Sequence, residues 1–169
     1  MLDATAAAEE RHFWFLHLRR TARSLLTSAL AGIEPRLIVD CGAGTGRNLE
    51  WLSGFGPAVG IERSPTGLAY GRKQQRRMLQ GSVTHLPFAD GAADVVTSFD
   101  VLYCLDDLEE RQAVREMFRV LAFDVPLAKS YCVSLVAEAY TKIGAAADGA
   151  TNVPGSLATM TPFGVVTVH

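Results

Sequence analysis

Leu37-Ile38-Val39-Asp40-Cys41-Gly42-Ala43-Gly44-Thr45-Gly46-Arg47 runs from an apolar stretch straight into a turn with glycine at three alternate positions. The apolar run has the length of a short buried strand. Arg47 to Leu52 is expected to open a helix, which would turn its free N–H groups toward the glycines. Glycine has no Cβ, so three of them in five residues allow main-chain groups to approach a ligand closely. A plain strand-to-helix turn needs one glycine, and the alternation is therefore read as a ligand loop. The spacing departs from the dinucleotide fingerprint G-x-G-x-x-G, whose third glycine lets the helix pack on the strand. Here that position is Arg47, which disfavours a nicotinamide-dependent oxidoreductase.

Outward from this turn, strands and helices alternate. Ala58 to Ile61 reads as a second strand ending in Glu62, 20 residues after Gly42. An acidic side chain at this spacing can accept hydrogen bonds from two ribose hydroxyls. Ser64-Pro65 opens a helix, with serine as N-cap and proline in the first helical position. Met78-Leu79 is a weak third strand and Asp94 to Phe99 a Val-rich fourth. Asp107 with Glu110 gives a capping-box pattern. Val114, Met117, Phe118 and Leu121 then mark one buried helix face. On the N-terminal side, residues 8–31 mix Phe13, Leu16, Leu18, Leu25, Leu26 and Leu30 with four arginines, as one or two helices that Gly32 and Pro35 end. Such alternation predicts an α/β fold with a parallel sheet and crossover helices.

Bulk properties exclude several classes. With 169 residues the chain is long enough for one domain with a proper core. A net charge of −2 gives no global pull toward nucleic acid or an anionic membrane. Three scattered cysteines and four dispersed histidines offer no zinc spacing, so no metal site is expected. No run of 18 apolar residues is present and the N-terminus lacks the pattern of a secretory signal, which makes a cytoplasmic location the expectation.

The loop D-x-G-x-G-x-G is shared with class I methyltransferases that use S-adenosylmethionine. Four further segments extend the match: Gln80-Gly81-Ser82-Val83, Leu86-Pro87-Phe88-Ala89-Asp90, Asp94-Val95-Val96 and Asp100-Val101-Leu102. Together they resemble the type 11 (UbiE-like) branch over residues 9–121. The resemblance implies a Rossmann-like parallel sheet with flanking helices. It also implies S-adenosylmethionine as cofactor and transfer of its methyl group to a small-molecule acceptor. The alternative is a non-catalytic or partner-dependent form that binds the cofactor without its substrate half.

By the same resemblance, the cofactor contacts fall on Asp40, Gly42, Ala43, Gly44, Gly46, Glu62, Arg63, Ser82, Val83, Ser98 and Phe99. Asp40 would orient the methionyl amine, directly or through water. Glu62 would take the ribose, and Ser82 and Val83 the adenine. Ser98 and Phe99 would line the methionine end. Ser82 stands where the branch usually has aspartate, and a hydroxyl is a weaker acceptor than a carboxylate. Methyl transfer needs alignment and a dry site first. His85, Asp100, Tyr103 and Cys104 are near enough in sequence to serve as a base, yet none has the spacing of a recognised dyad.

Glu9-Glu10-Arg11-His12-Phe13-Trp14-Phe15, followed by Arg19-Arg20, resembles the openings that precede some of these domains. Two readings stay open: a cap over the cofactor, or an amphipathic helix whose arginines snorkel over the core. The expected organisation is an N-terminal helical cap (1–34), a cofactor-binding core (35–121) and an atypical tail (122–169). In the tail the Leu-Lys-Pro-Gly-Gly-like turn of the family is absent, as truncation, splicing or a frameshift near residue 122 would produce. A helix over 133–140 and a terminal strand over 163–168 are the elements expected there. Loss of the fifth strand would expose a sheet edge, to be covered by the tail, a protein partner or a second copy.

Overall fold

The computed structural model describes residues 2–122 and the strand residues 131–135, 157–161 and 164–168. Two helices, α1 (Leu2–Ala8) and α2 (Phe13–Ala29), precede the sheet. The parallel core follows as β1 (Ile38–Cys41), α3 (Leu49–Leu52), β2 (Ala58–Glu62), α4 (Pro65–Lys73), β3 (Met78–Gln80), β4 (Val95–Phe99) and α5 (Asp107–Val120). β1 pairs in parallel with both β2 and β4, and β3 pairs in parallel with β2, giving the order 3-2-1-4. Every residue of β1 and β4 is buried. That is the expected state of central parallel strands covered on both faces.

Because side chains alternate across a strand, Ile38 and Val95 join one core and Val39, Cys41 and Val96 the other. The first core lies under α2 and α3, with Leu18, Ala22, Leu26, Leu49 and Leu52 packed on Ile38, Ala58 and Val95. The second lies under α5, with Ala113, Met117 and Val120 packed near Val39, Ile61 and Val96. The sheet is thus a layer between helices, and its strand ends open onto one rim.

Three strands continue the sheet: β5 (Tyr131–Leu135), β6 (Leu157–Thr161) and β7 (Gly164–Val168). β5 pairs in parallel with β4, and β7 runs antiparallel between β5 and β6, completing the order 3-2-1-4-5-7-6. The edge expected to stand open beside β4 therefore carries β5. The expected helix over 133–140 overlaps this strand in residues 133–135 and otherwise lies outside the described residues.

Two boundaries differ from expectation. The N-cap of α5 is Asp106, whose Oδ1 accepts from Leu108 N at 2.9 Å and Glu109 N at 2.8 Å. Asp107 is already helical. The helix after the glycine turn is one turn long, Leu49–Leu52, with no side-chain cap from Asn48. At α4 the expectation holds: Ser64 Oγ accepts from Gly67 N at 3.5 Å and Pro65 is the first helical residue.

Candidate functional site

The rim above β1, β2 and β4 holds a cavity of about 440 Å³. Its floor is the glycine turn, and two of its positions show why glycine is needed. Gly42 has φ +73°, and a Cβ there would stand 2.3 Å from Val101 Cγ2. Gly44 has φ +57°, a left-handed conformation that costs residues with a Cβ about 1–2 kcal/mol.

Of the residues expected at the cofactor, Gly42, Ala43, Gly44, Glu62, Arg63, Ser82, Val83 and Phe99 line this cavity. Asp40, Gly46 and Ser98 do not. Ser98 is buried and its Oγ donates to the Cys41 carbonyl at 3.2 Å. Asp40 is 1% exposed; Thr97 Oγ1 donates to its Oδ1 at 2.8 Å, while Oδ2 has no hydrogen-bond partner among the described residues. Burial, partly opposed by the Thr97 bond and reinforced by the Glu62 charge, pushes the Asp40 carboxyl up to about 7. Asp40 therefore stands behind the cavity wall and not on it.

Glu62 ends β2 at the cavity wall. Its Oε2 accepts from Gly44 N at 2.8 Å and its Oε1 from Ser64 N at 2.7 Å. One bond per oxygen leaves each with further acceptor capacity. The preceding turn amides are also engaged: Gly42 N and Ala43 N both donate to Ile61 O, at 2.8 and 2.9 Å. At the opposite wall, Ser82 Oγ is 2.8 Å from Thr84 Oγ1 and accepts from Thr84 N at 3.2 Å. Phe99 meets Trp51 edge-on, ring centroids 6.0 Å apart, so its ring is fixed by the core.

The N-terminal helices supply a wall that spacing alone did not place. Leu2, Thr5, Glu9, Trp14, Phe15, Leu18 and Arg19 all line the cavity. Thr45 Oγ1 donates to Glu9 at 2.7 and 3.0 Å, tying the end of α1 to the glycine turn. Burial raises the Glu9 carboxyl above its ordinary value, with the Thr45 bond and nearby Arg76, Arg19 and Arg47 opposing. Arg19 Nη2 donates to the Glu9 carbonyl at 2.6 Å. Arg47 is paired with Glu10 at 2.6 Å and also with Glu50. Arg76 reaches the Thr45 carbonyl at 2.9 Å and pairs with Glu50. The Glu9-Glu10 motif was the readable signal for this roof; Arg19 had none beyond its place in an amphipathic helix.

Of the four base candidates, Asp100, Tyr103 and Cys104 line the cavity, whereas His85 does not. Asp100 has φ +55° and accepts from Trp14 Nε1 at 3.4 Å. His85 Nδ1 instead lies 3.2 Å from Thr84 Oγ1. Among the described residues, no helix is long and apolar enough to cross a membrane.

Comparison with solved structures places this fold among methyltransferases. An S-adenosylmethionine-dependent methyltransferase of Thermotoga maritima is 26% identical, with a TM-score of 0.53, over 76% of this chain and 57% of its own. A candidate S-adenosylmethionine-dependent methyltransferase of Methanococcus maripaludis superposes with a TM-score of 0.71 at 14% identity, over 98% of this chain and 90% of its own. The amino pentose methyltransferase of Micromonospora echinaspora, solved with S-adenosylmethionine bound, gives 23% identity and a TM-score of 0.63. There the match covers 79% of this chain and 55% of the other. The chain thus spans little more than half the length of two of these three proteins. No curated protein matches it. Residues 39–125, just over half of the chain, match the model of the methyltransferase domain. The chain belongs to the methyltransferase domain family, type 11.

Proposed function

We propose that the rim cavity binds S-adenosylmethionine and that the domain passes its methyl group to a small-molecule acceptor. The observation that carries this reading is Glu62, a carboxylate at the cavity wall with spare acceptor capacity, held by the same glycine turn that forms the floor. A cavity of about 440 Å³ is of the size expected for a cofactor site. Glu62 fits a ribose diol, and Ser82 and Val83 stand on the wall where an adenine would lie.

Bound, the cofactor supplies a methyl group activated on a sulfonium. The chain's own contribution is alignment and exclusion of water. Phe15, Leu18, Val101 and Leu105 give the cavity an apolar lining. Where the acceptor nucleophile carries a proton, the Asp100 carboxylate is one lining group that can take it up. The second reading is cofactor binding without methyl transfer.

Titration calorimetry with S-adenosylhomocysteine and with NAD tests the site. We expect the first to bind and the second not to. Binding of NAD alone, or no binding of either to folded protein, refutes the reading. Glu62→Ala should weaken S-adenosylhomocysteine by about 1–3 kcal/mol through lost hydrogen bonds to a charged group. Transfer of a labelled methyl group to members of an acceptor panel supports the catalytic form; binding without transfer to any of them supports the second.

A further inference from the structure

The methionyl end of the cofactor has both an ammonium and a carboxylate, and the groups first expected to meet them are committed elsewhere. Asp40 is inside the sheet, bonded to Thr97 and absent from the cavity wall. The amides of Gly42 and Ala43 donate to Ile61 O, and that of Gly44 donates to Glu62. The N-terminal segment brings a pair of opposite charges, Glu9 and Arg19, to the cavity.

Arg19 and Glu9 both line the cavity and touch each other, through the Arg19 Nη2 bond to the Glu9 carbonyl. Arg47, the neighbouring guanidinium on the wall, is neutralised by Glu10 and Glu50. Arg19 has no carboxylate within ion-pair distance among the described residues, only that carbonyl. Four of its five N–H donors are therefore left for an anion. Burial lowers the Arg19 guanidinium from its ordinary value. A carboxylate brought into contact would offset that cost. The Glu9 carboxylate is held by the Thr45 hydroxyl and has lone pairs left over.

We propose that Arg19 and Glu9 recognise the α-amino-acid end of the cofactor, Arg19 taking the carboxylate and Glu9 the ammonium. This rests on the cofactor reading above and deepens it. It assigns the zwitterion to the helical roof rather than to the strand end, so residues 9–19 are part of the binding site and not only a cover.

Three adenosine ligands separate the terms. S-adenosylhomocysteine carries both charged groups, decarboxylated S-adenosylhomocysteine the ammonium alone, and 5′-methylthioadenosine neither. In the unaltered protein we expect S-adenosylhomocysteine to bind at least roughly tenfold tighter than 5′-methylthioadenosine, the scale of one charge-assisted hydrogen bond. Arg19→Gln should weaken S-adenosylhomocysteine roughly tenfold to a hundredfold and leave the other two within about twofold. Glu9→Gln, which keeps an acceptor for Thr45, should weaken both ammonium-bearing ligands and spare 5′-methylthioadenosine. Arg19→Lys should restore part of the lost affinity.

If the unaltered protein binds S-adenosylhomocysteine and 5′-methylthioadenosine equally, the proposal fails while the cofactor reading stands. If it binds none of the three, the cofactor reading itself fails. Loss of all three ligands together in folded Arg19→Gln assigns the residue a structural role and overturns the proposal.

Discussion

Replacing Asp40 by asparagine removes a carboxyl group enclosed by the sheet, and the stability difference between the two proteins is expected to depend on pH. In the folded chain burial lifts this group from 3.8 to about 7; unfolded, it returns to the ordinary aspartate range near 3.9. The folded state therefore holds the proton more tightly. Its contribution is fully present below about pH 4 and is lost as pH rises through 7. Each tenfold difference in proton affinity is worth about 1.4 kcal/mol, so the full swing is about 4 kcal/mol. Roughly 3 kcal/mol of it falls between pH 5 and pH 8.

Urea unfolding of both proteins at these two pH values measures it, and the variant cancels every other titrating group. Going from pH 5 to pH 8, the unaltered protein should lose about 3 kcal/mol more than Asp40→Asn. Parallel pH dependence in the two would refute the reasoning. It would mean that Asp40 is hydrated, or paired through its Oδ2, in solution.

Three other perturbations probe the frame around the cavity. Gly42→Ala forces a Cβ to within 2.3 Å of the branched Val101 side chain at φ +73°, and should cost about 2–4 kcal/mol in chemical unfolding. Asp106→Ala removes the acceptor for two amides of α5 and should cost about 1 kcal/mol, whereas Asp107→Ala should cost clearly less. Arg119 donates to Glu116, to Asp90 at 2.7 Å, and to the Phe88 and Leu86 carbonyls at 2.9 and 3.1 Å. Arg119→Ala should loosen residues 86–90, seen as faster amide exchange there, and cost about 1–2 kcal/mol after allowance for solvent screening. The Arg119 bond holds Glu116 down at about 2. That stabilisation is present above the ordinary value of 4.5 and is lost as pH falls toward 2.

The parallel core was legible because its strands open on short apolar runs, such as Ile38-Val39 and Val95-Val96, set between glycine, proline and acidic residues. The same feature concealed Asp40. A central strand buried on both faces has no polar side, so its pattern does not say where an acidic residue points. The α5 cap was ambiguous for a local reason: Asp106 with Glu109 and Asp107 with Glu110 satisfy the same three-residue spacing, and only the extended backbone of Asp106 (ψ 170°) decides between them. Glu62 was readable from its distance to Gly42, since strand length and crossover geometry fix that interval. Arg19 was not, because its role comes from how α2 docks on the turn, a contact with no periodic signature.

The hydrogen bonds of Glu62 make the cavity self-reporting. Its carboxylate clasps the middle of the glycine turn through Gly44 N and the entry to α4 through Ser64 N. A ligand hydroxyl that draws on either oxygen weakens the bond already there. Occupancy at one wall should therefore register in the two backbone amides that Glu62 already holds, and their proton resonances should move together as the site fills.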